Sequence, residues 1–140
     1  MGYTHYFEQL KVPTHIEWNN ITADFRKLIA SAFITKPLPI QRESDDPVAP
    51  LINDEVIAFN GIGDDGHETM YLQCNSNGFN CCKTNFKPYD AVVTALLIIV
   101  NHHALNCYSI RSDGDQFEWQ NGMDLVNEHL TTKMQFPPAV

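Results

Sequence analysis

The residues with the widest chemical reach fall at the ends of apolar segments. Thr4, His5 and Tyr6 lie near the start of the chain, His67 and Glu68 beside a glycine-rich turn, and Lys83 and Thr84 at the close of a mixed run. Tyr89 and Asp90 open a long apolar segment, and Arg111, Ser112 and Asp113 close another. Element ends are where a fold presents side chains to ligands. Lys83 and Arg111 suit a phosphate, Thr84 and Ser112 supply hydroxyl donors, and a helix opening near Asp90 offers free amides to an anion. His5, Glu68 and Tyr89 would orient the remainder of the molecule, and Thr4, Tyr6, Asp90 and Asp113 complete the expected ligand-binding set. His5 and Glu68 are the candidates for general acid or base, should the protein be an enzyme.

Other chemistries find less support. The chain has no G-x-S-x-G elbow and no GxxxxGK[ST] loop, and the series Gly61, Gly63, Gly66, though spaced as GxGxxG, lacks the following helix that a dinucleotide-binding turn needs. His67, with Asp64, Asp65, Glu68 and His5, is a weak candidate for a divalent metal, because imidazole and carboxylate suit zinc or manganese but the spacing matches no ligand signature. No cofactor is expected otherwise. His102 and His103 fall where a helix C-terminus favours positive charge. Of the four cysteines, Cys81 and Cys82 are adjacent in a strand-like run and so point apart. Cys82 beside Lys83 reads as a buried thiol, and all four cysteines are expected reduced.

These residues need elements to position them. Tyr3 to Gln9 alternates as a strand, with Tyr3, His5 and Phe7 on one face and Thr4, Tyr6 and Glu8 on the other. Ile21, Phe25, Leu28, Ile29 and Ala32 recur at helical spacing and predict a helix over Ile21 to Phe33. Thr35 to Asp54 holds four prolines and several carboxylates and reads as a long, acidic loop. Glu55 to Asn60 and Glu68 to Gln73 form a hairpin, and Asn77-Gly78 turns the chain into a further strand, Phe79 to Thr84, completing a meander. Lys87-Pro88 opens a helix over Tyr89 to Ala104, apolar nearly all round and therefore covered on most sides. Cys107 to Arg111 is the last strand, and Ser112 to Asp115 a polar turn. Asp115 and Glu118 then form a capping-box-like start for a helix carrying Trp119, Met123, Val126 and Leu130.

The order β-α-β-β-β-α-β-α predicts a single α+β domain over residues 1–140, with a mostly antiparallel sheet and helices covering one face. If the strands flanking the apolar helix run parallel, their C-terminal ends share one edge, where Lys83, Thr84, Arg111 and Ser112 would meet.

Composition bounds the partners. A chain of 140 residues with 44% hydrophobic and 19% charged residues is globular in character. Nine basic against seventeen acidic residues give a net charge of −8, which opposes generic nucleic acid and anionic membrane surfaces. The opening MGYTHYFEQL has neither the basic nor the apolar region of a signal peptide, so a cytoplasmic location is expected.

Taken together, GYTHY (2–6), GHETMYL (66–72), CKTNFKPYDAVVTALLIIVNHH (82–103) and SDGDQFEW (112–119) make the chain resemble a family of small, functionally uncharacterised proteins found in bacteria and on bacteriophage genomes. The CKT-KPYD-VTA and SDG-W segments carry most of the likeness, which spans the chain apart from the proline-rich loop. The resemblance implies no reaction and no substrate. A phage setting implies host-directed work in the host cytoplasm, such as neutralising a defence system.

The leading expectation is a binder of a nucleotide-like or other small anionic ligand, which could sequester a host defence signal. An alternative is a small hydrolase acting on a nucleotide-like substrate in the same pocket. A third is an acidic inhibitor presenting residues 35–54 to a host defence protein. A homo-oligomer would be compatible with any of them.

Overall fold

The computed structural model describes residues 2–140. It shows one α+β domain with three α-helices and two small antiparallel sheets. The first sheet has the order β5-β1-β6, from Cys81–Lys83, Thr4–Gln9 and Tyr108–Ser112. The second has the order β2-β3-β4, from Leu51–Ile52, Val56–Phe59 and Met70–Gln73. The helices are α1 (His15–Thr35), α2 (Asp90–His103) and α3 (Gln120–His129). No helix among the described residues is long and apolar enough to cross a membrane.

The expected meander stops at β4. β5 leaves that sheet and pairs with β1 instead, in the register Thr4↔Lys83, His5↔Cys82 and Tyr6↔Cys81. β6 lines the other side of β1, through His5↔Ser112, Tyr6↔Arg111 and Phe7↔Ile110. Both flanking strands are antiparallel to β1, so they run parallel to each other and α2 crosses from one to the other. Their C-terminal ends do share an edge, with the N-terminal end of β1 between them.

α1 begins at His15, six residues earlier than the apolar spacing predicted. Thr14 accepts the Glu17 amide at 3.1 Å while Glu17 accepts the Thr14 amide at 2.8 Å, a reciprocal cap that the Thr-x-x-Glu spacing encodes. Trp18, Ile21, Phe25 and Leu28 then face the core. The stretch Thr35 to Asp54 is not one open loop. Gln41 bridges Asn60, Leu51–Ile52 pairs with β3, and Leu38, Ile40 and Ile52 pack against the core.

α2 runs through the centre of the molecule, with every residue from Val92 to Val100 buried. Its closest neighbour is α3, and Gly122 is the reason. A Cβ at Gly122 would lie 2.0 Å from Thr94 Oγ1 and 2.9 Å from the Ala95 backbone nitrogen. A helix interior normally gains about 1 kcal/mol from Gly→Ala. Here a side chain meets backbone that cannot step aside, and overpacking of this kind costs about 1–3 kcal/mol. Gly122→Ala is therefore expected to lower the urea midpoint despite the better helix propensity, and equilibrium unfolding measures the sign.

Candidate functional site

The pleat of the β5-β1-β6 sheet divides the expected site between two faces. His5, Phe7, Cys82, Ile110 and Ser112 face the helices, whereas Thr4, Tyr6, Lys83, Arg111 and Asp113 belong to the outer face. Residues that share the sheet edge are thus brought together only within each set.

On the inner face, four elements meet at one serine oxygen. Ser112 Oγ accepts from Trp119 Nε1 at 3.0 Å and from the Gly114 amide at 2.9 Å, and lies 2.8 Å from His5 Nδ1. A hydroxyl has two lone pairs and one proton. The two N–H donors occupy both lone pairs, so Ser112 donates its proton to Nδ1. The remaining nitrogen, Nε2, then carries the imidazole proton and donates it to Asp90 Oδ1 at 2.6 Å. The same Asp90 oxygen accepts Thr84 Oγ1 at 2.6 Å. His5 and Thr84 are wholly buried.

The order Ser-His-Asp matches that of a nucleophilic triad, but the serine oxygen has no lone pair left with which to attack. The network therefore positions strands and helices. It also occupies the expected ligand groups Thr84, Asp90 and Ser112, together with His5. The first turn of α2, expected to cradle an anion, is closed in the same way. The Val92 and Val93 amides return to the Tyr89 carbonyl, and the Asp90 amide to Lys87.

Glu68 does not approach His5 as an acid-base partner, because strand pairing places β5, not β4, beside β1. Its carboxylate accepts the Lys83 amide at 2.7 Å, and its carbonyl accepts the Tyr89 hydroxyl at 2.5 Å, so it stitches the two sheets together. Tyr89 is consequently buried, and burial raises its phenol pKa well above the ordinary range. Burial likewise pushes the Cys82 thiol up to about 12. The loop that delivers Glu68 is held by Asn60. This buried amide accepts the Gly61 and His67 amides and donates to His67 O and Thr69 Oγ1. His67 itself is exposed, and among the described residues no three His, Cys, Asp or Glu side chains converge as metal ligands.

On the outer face, Lys83 and Arg111 do not meet. Adjacent strands lie about 4.8 Å apart and residues about 3.4 Å apart along a strand, so two strand spacings and two residues separate their Cα atoms by about 12 Å. The Arg111 guanidinium lies 5.8 Å from the centre of the Tyr6 ring. Asp113 accepts the Thr4 amide through Oδ2 at 3.0 Å and the Tyr6 hydroxyl through Oδ1 at 3.1 Å.

At the shared edge opens a cleft of about 550 Å³, lined by Gly2, Tyr3, Phe86, Asp113 and Glu118. A groove of about 410 Å³ along α1 is almost wholly apolar, with Arg26 its one charged lining residue. At the sheet edge two aromatic rings and two carboxylates line one cleft beside the residues expected to form the site, which makes it the candidate site. Tyr3 and Phe86 form its floor, their rings stacked at 3.8 Å, with the Tyr3 ring edge-on to His5 beneath. Phe86 is 63% exposed. Lys83 reaches the rim, its side chain lying where a Gly2 Cβ would stand.

Phe86 holds this place at a conformational cost. Asn85 and Phe86 are both left-handed, with φ of 54° and 60°, and the Lys87 amide closes the turn onto Thr84 O at 3.0 Å. Such a turn favours Asn-Gly. A bulky residue in the second position costs of order 1–3 kcal/mol.

Tyr3 Oη is the one buried side-chain nitrogen or oxygen among the described residues that lacks a hydrogen-bond partner. Burial first, then the charges of Asp90, Glu118 and Asp115, raise its pKa far above 10, while the nearby Ser112 hydroxyl works the other way. The phenol stays protonated, and Ser112 has nothing left to accept with.

Tyr3, Phe86, Gly114, Glu118 and Trp119 were not among the expected site residues. Tyr3, Phe86 and Trp119 belong to the aromatics that the sequence places mostly in the core, with one or two free to stack on a base, and nothing in the residue pattern tells that Phe86 is the exposed one. No protein-family model, no curated protein and no solved structure matches the chain.

Two substitutions at the network should move stability in opposite directions. Ser112→Ala strands three groups, the Trp119 and Gly114 donors and His5, a loss of at least about 3 kcal/mol at about 1–3 per orphan. Tyr3→Phe removes a hydroxyl with no partner and keeps the ring, so thermal unfolding should show no loss and a gain of up to about 1 kcal/mol.

Proposed function

We propose that the protein binds a small, planar, nucleotide-like molecule in the Tyr3–Phe86 cleft and holds it without chemical change. The observation that supports this reading is Phe86, an aromatic ring kept 63% exposed by a left-handed backbone that glycine would adopt more readily. Strain persists where the surrounding structure over-determines it, and such positions gather at ligand-binding sites. With one face on Tyr3, the ring offers its other face to a flat ligand. Aromatic stacking of a base contributes about 1–3 kcal/mol.

Lys83 at the rim supplies a contact for one phosphate. The expected two-cation clamp gives way to this single cation, since Arg111 lies across the sheet. Holding without turnover fits the saturated state of Ser112 and the burial of His5, which leave neither the serine nor the histidine free to act on a molecule in the cleft. On a phage genome, a binder of this kind would withdraw a host defence signal from circulation.

The test is incubation with a panel of nucleosides and signalling nucleotides, removal of protein by filtration, and mass spectrometry of the filtrate before and after heating. The expected result is a compound that disappears and returns with unchanged mass; a new mass would replace binding with catalysis. Phe86→Gly should abolish retention while leaving the melting temperature unchanged or higher, because it removes the stacking surface and relieves the backbone together. Retention that survives Phe86→Gly would move the site elsewhere.

A further inference from the structure

We infer that the cleft selects a guanine-type edge, one presenting two adjacent N–H donors. This rests on the reading of the cleft as a stacking site and concerns what lies beside the stack. Besides Phe86 and Tyr3, the cleft is lined by two acidic residues, Asp113 and Glu118. Ionised carboxylates only accept hydrogen bonds. Neither is neutralised by a lysine or arginine: among the described residues, every ion pair within 4 Å involves a histidine.

Both carboxylates are also fixed in advance. Asp113 is held by the Thr4 amide and the Tyr6 hydroxyl, one on each oxygen. Glu118 accepts the Asp115 amide through Oε1 at 3.3 Å, while its own amide donates to Asp115 Oδ1 at 3.0 Å. Each carboxylate oxygen can take a further donor, so a bound molecule meets a rigid edge of acceptors.

The common bases differ in what they bring to such an edge. Guanine carries N1–H and the N2 amino group side by side, two donors spaced to match the two oxygens of a carboxylate, as the guanidinium fork does. Adenine sets its N6 amino group beside the N1 acceptor, cytosine sets N4 beside N3, and uracil flanks N3–H with carbonyls. For these three, an acceptor lone pair faces a carboxylate, and a site built from acceptors rejects an edge that leaves them unpaired or opposed. The lining carries the negative charge of Asp113 and Glu118, so phosphates beyond the one that Lys83 can reach bring no further attraction.

Equilibrium dialysis of the full chain against guanosine, inosine, adenosine, cytidine and uridine, each also as its 5′-monophosphate, tests the inference. Guanosine is expected to bind at least tenfold tighter than adenosine, and also tighter than inosine, which lacks only the N2 amino group. Glu118→Gln keeps an oxygen for the Asp115 amide but presents an amide to the ligand, and should bring guanosine and adenosine within about threefold. Equal binding of all the nucleosides, lost in Phe86→Gly, would overturn the guanine edge and leave the stacking cleft standing. A guanosine preference untouched by Glu118→Gln and Asp113→Asn would overturn the carboxylate origin. No binding by any of them, with both variants folded by circular dichroism, would overturn this inference, and retention of a different compound in the wider panel would show the cleft reading to survive it.

Discussion

The molecule is organised around the saturation of one hydroxyl. Ser112 ends β6, and its oxygen accepts from the turn that follows and from the tryptophan that precedes α3. Its proton goes to His5 of β1, and His5 in turn reaches Asp90 at the start of α2 and, through that carboxylate, Thr84 at the end of β5. Three strands and the starts of α2 and α3 are therefore locked by one branched network of donors and acceptors. In a low-dielectric interior such a network is rigid when every member is satisfied and costly when one is missing. The cleft inherits that rigidity, because Tyr3 rests edge-on against His5 and carries Phe86 on its outer side.

Two turns that each carry a pair of successive positive-φ residues make the role of Phe86 plain. Asn77 and Gly78 have φ of 56° and 119°, and there the second position is glycine, which accepts that backbone without steric conflict. Asn85 and Phe86 build a comparable turn with a phenylalanine in that position. Local geometry alone would have favoured glycine at both. The difference lies in what the side chain does afterwards: at Gly78 a Cβ would meet nothing, whereas Phe86 closes over Tyr3 and faces the cleft.

Charge was distributed by pairing more than by composition. Lys83 and Arg111 leave β5 and β6 at the same edge, yet β1 lies between them and the Arg111 guanidinium rests over Tyr6. Asp113, one residue beyond Ser112, falls on the opposite side of the pleat and is drawn to Thr4 and Tyr6. The edge that looks cationic along the chain is consequently lined by Asp113 and Glu118 in space, with Lys83 at its rim.

Much of the architecture was legible from residue patterns. Strand parity separated His5 and Phe7 from Thr4 and Tyr6, the unbroken apolar run announced a central α2, and Trp119, Met123 and Val126 marked the buried side of the last helix, because these periodicities are local properties of the backbone. The Thr-x-x-Glu cap at Thr14 was equally local and sets the true start of α1. Which strand lies beside β1 is not local. It depends on how the second sheet and α2 bury their faces together, and it took Glu68 from His5 and gave its carboxylate to Lys83. The sequence by itself determined the α+β class, the three helices and the inward face of the first and last strands, since hydrophobic period and turn chemistry act over a few residues. Only the tertiary structure decided that His5, Asp90 and Ser112 form a closed network and that Tyr3, Phe86, Asp113 and Glu118 form an open cleft, because hydrogen-bond saturation and exposure arise from groups far apart in the chain, His5 lying 85 residues from Asp90 and 107 from Ser112.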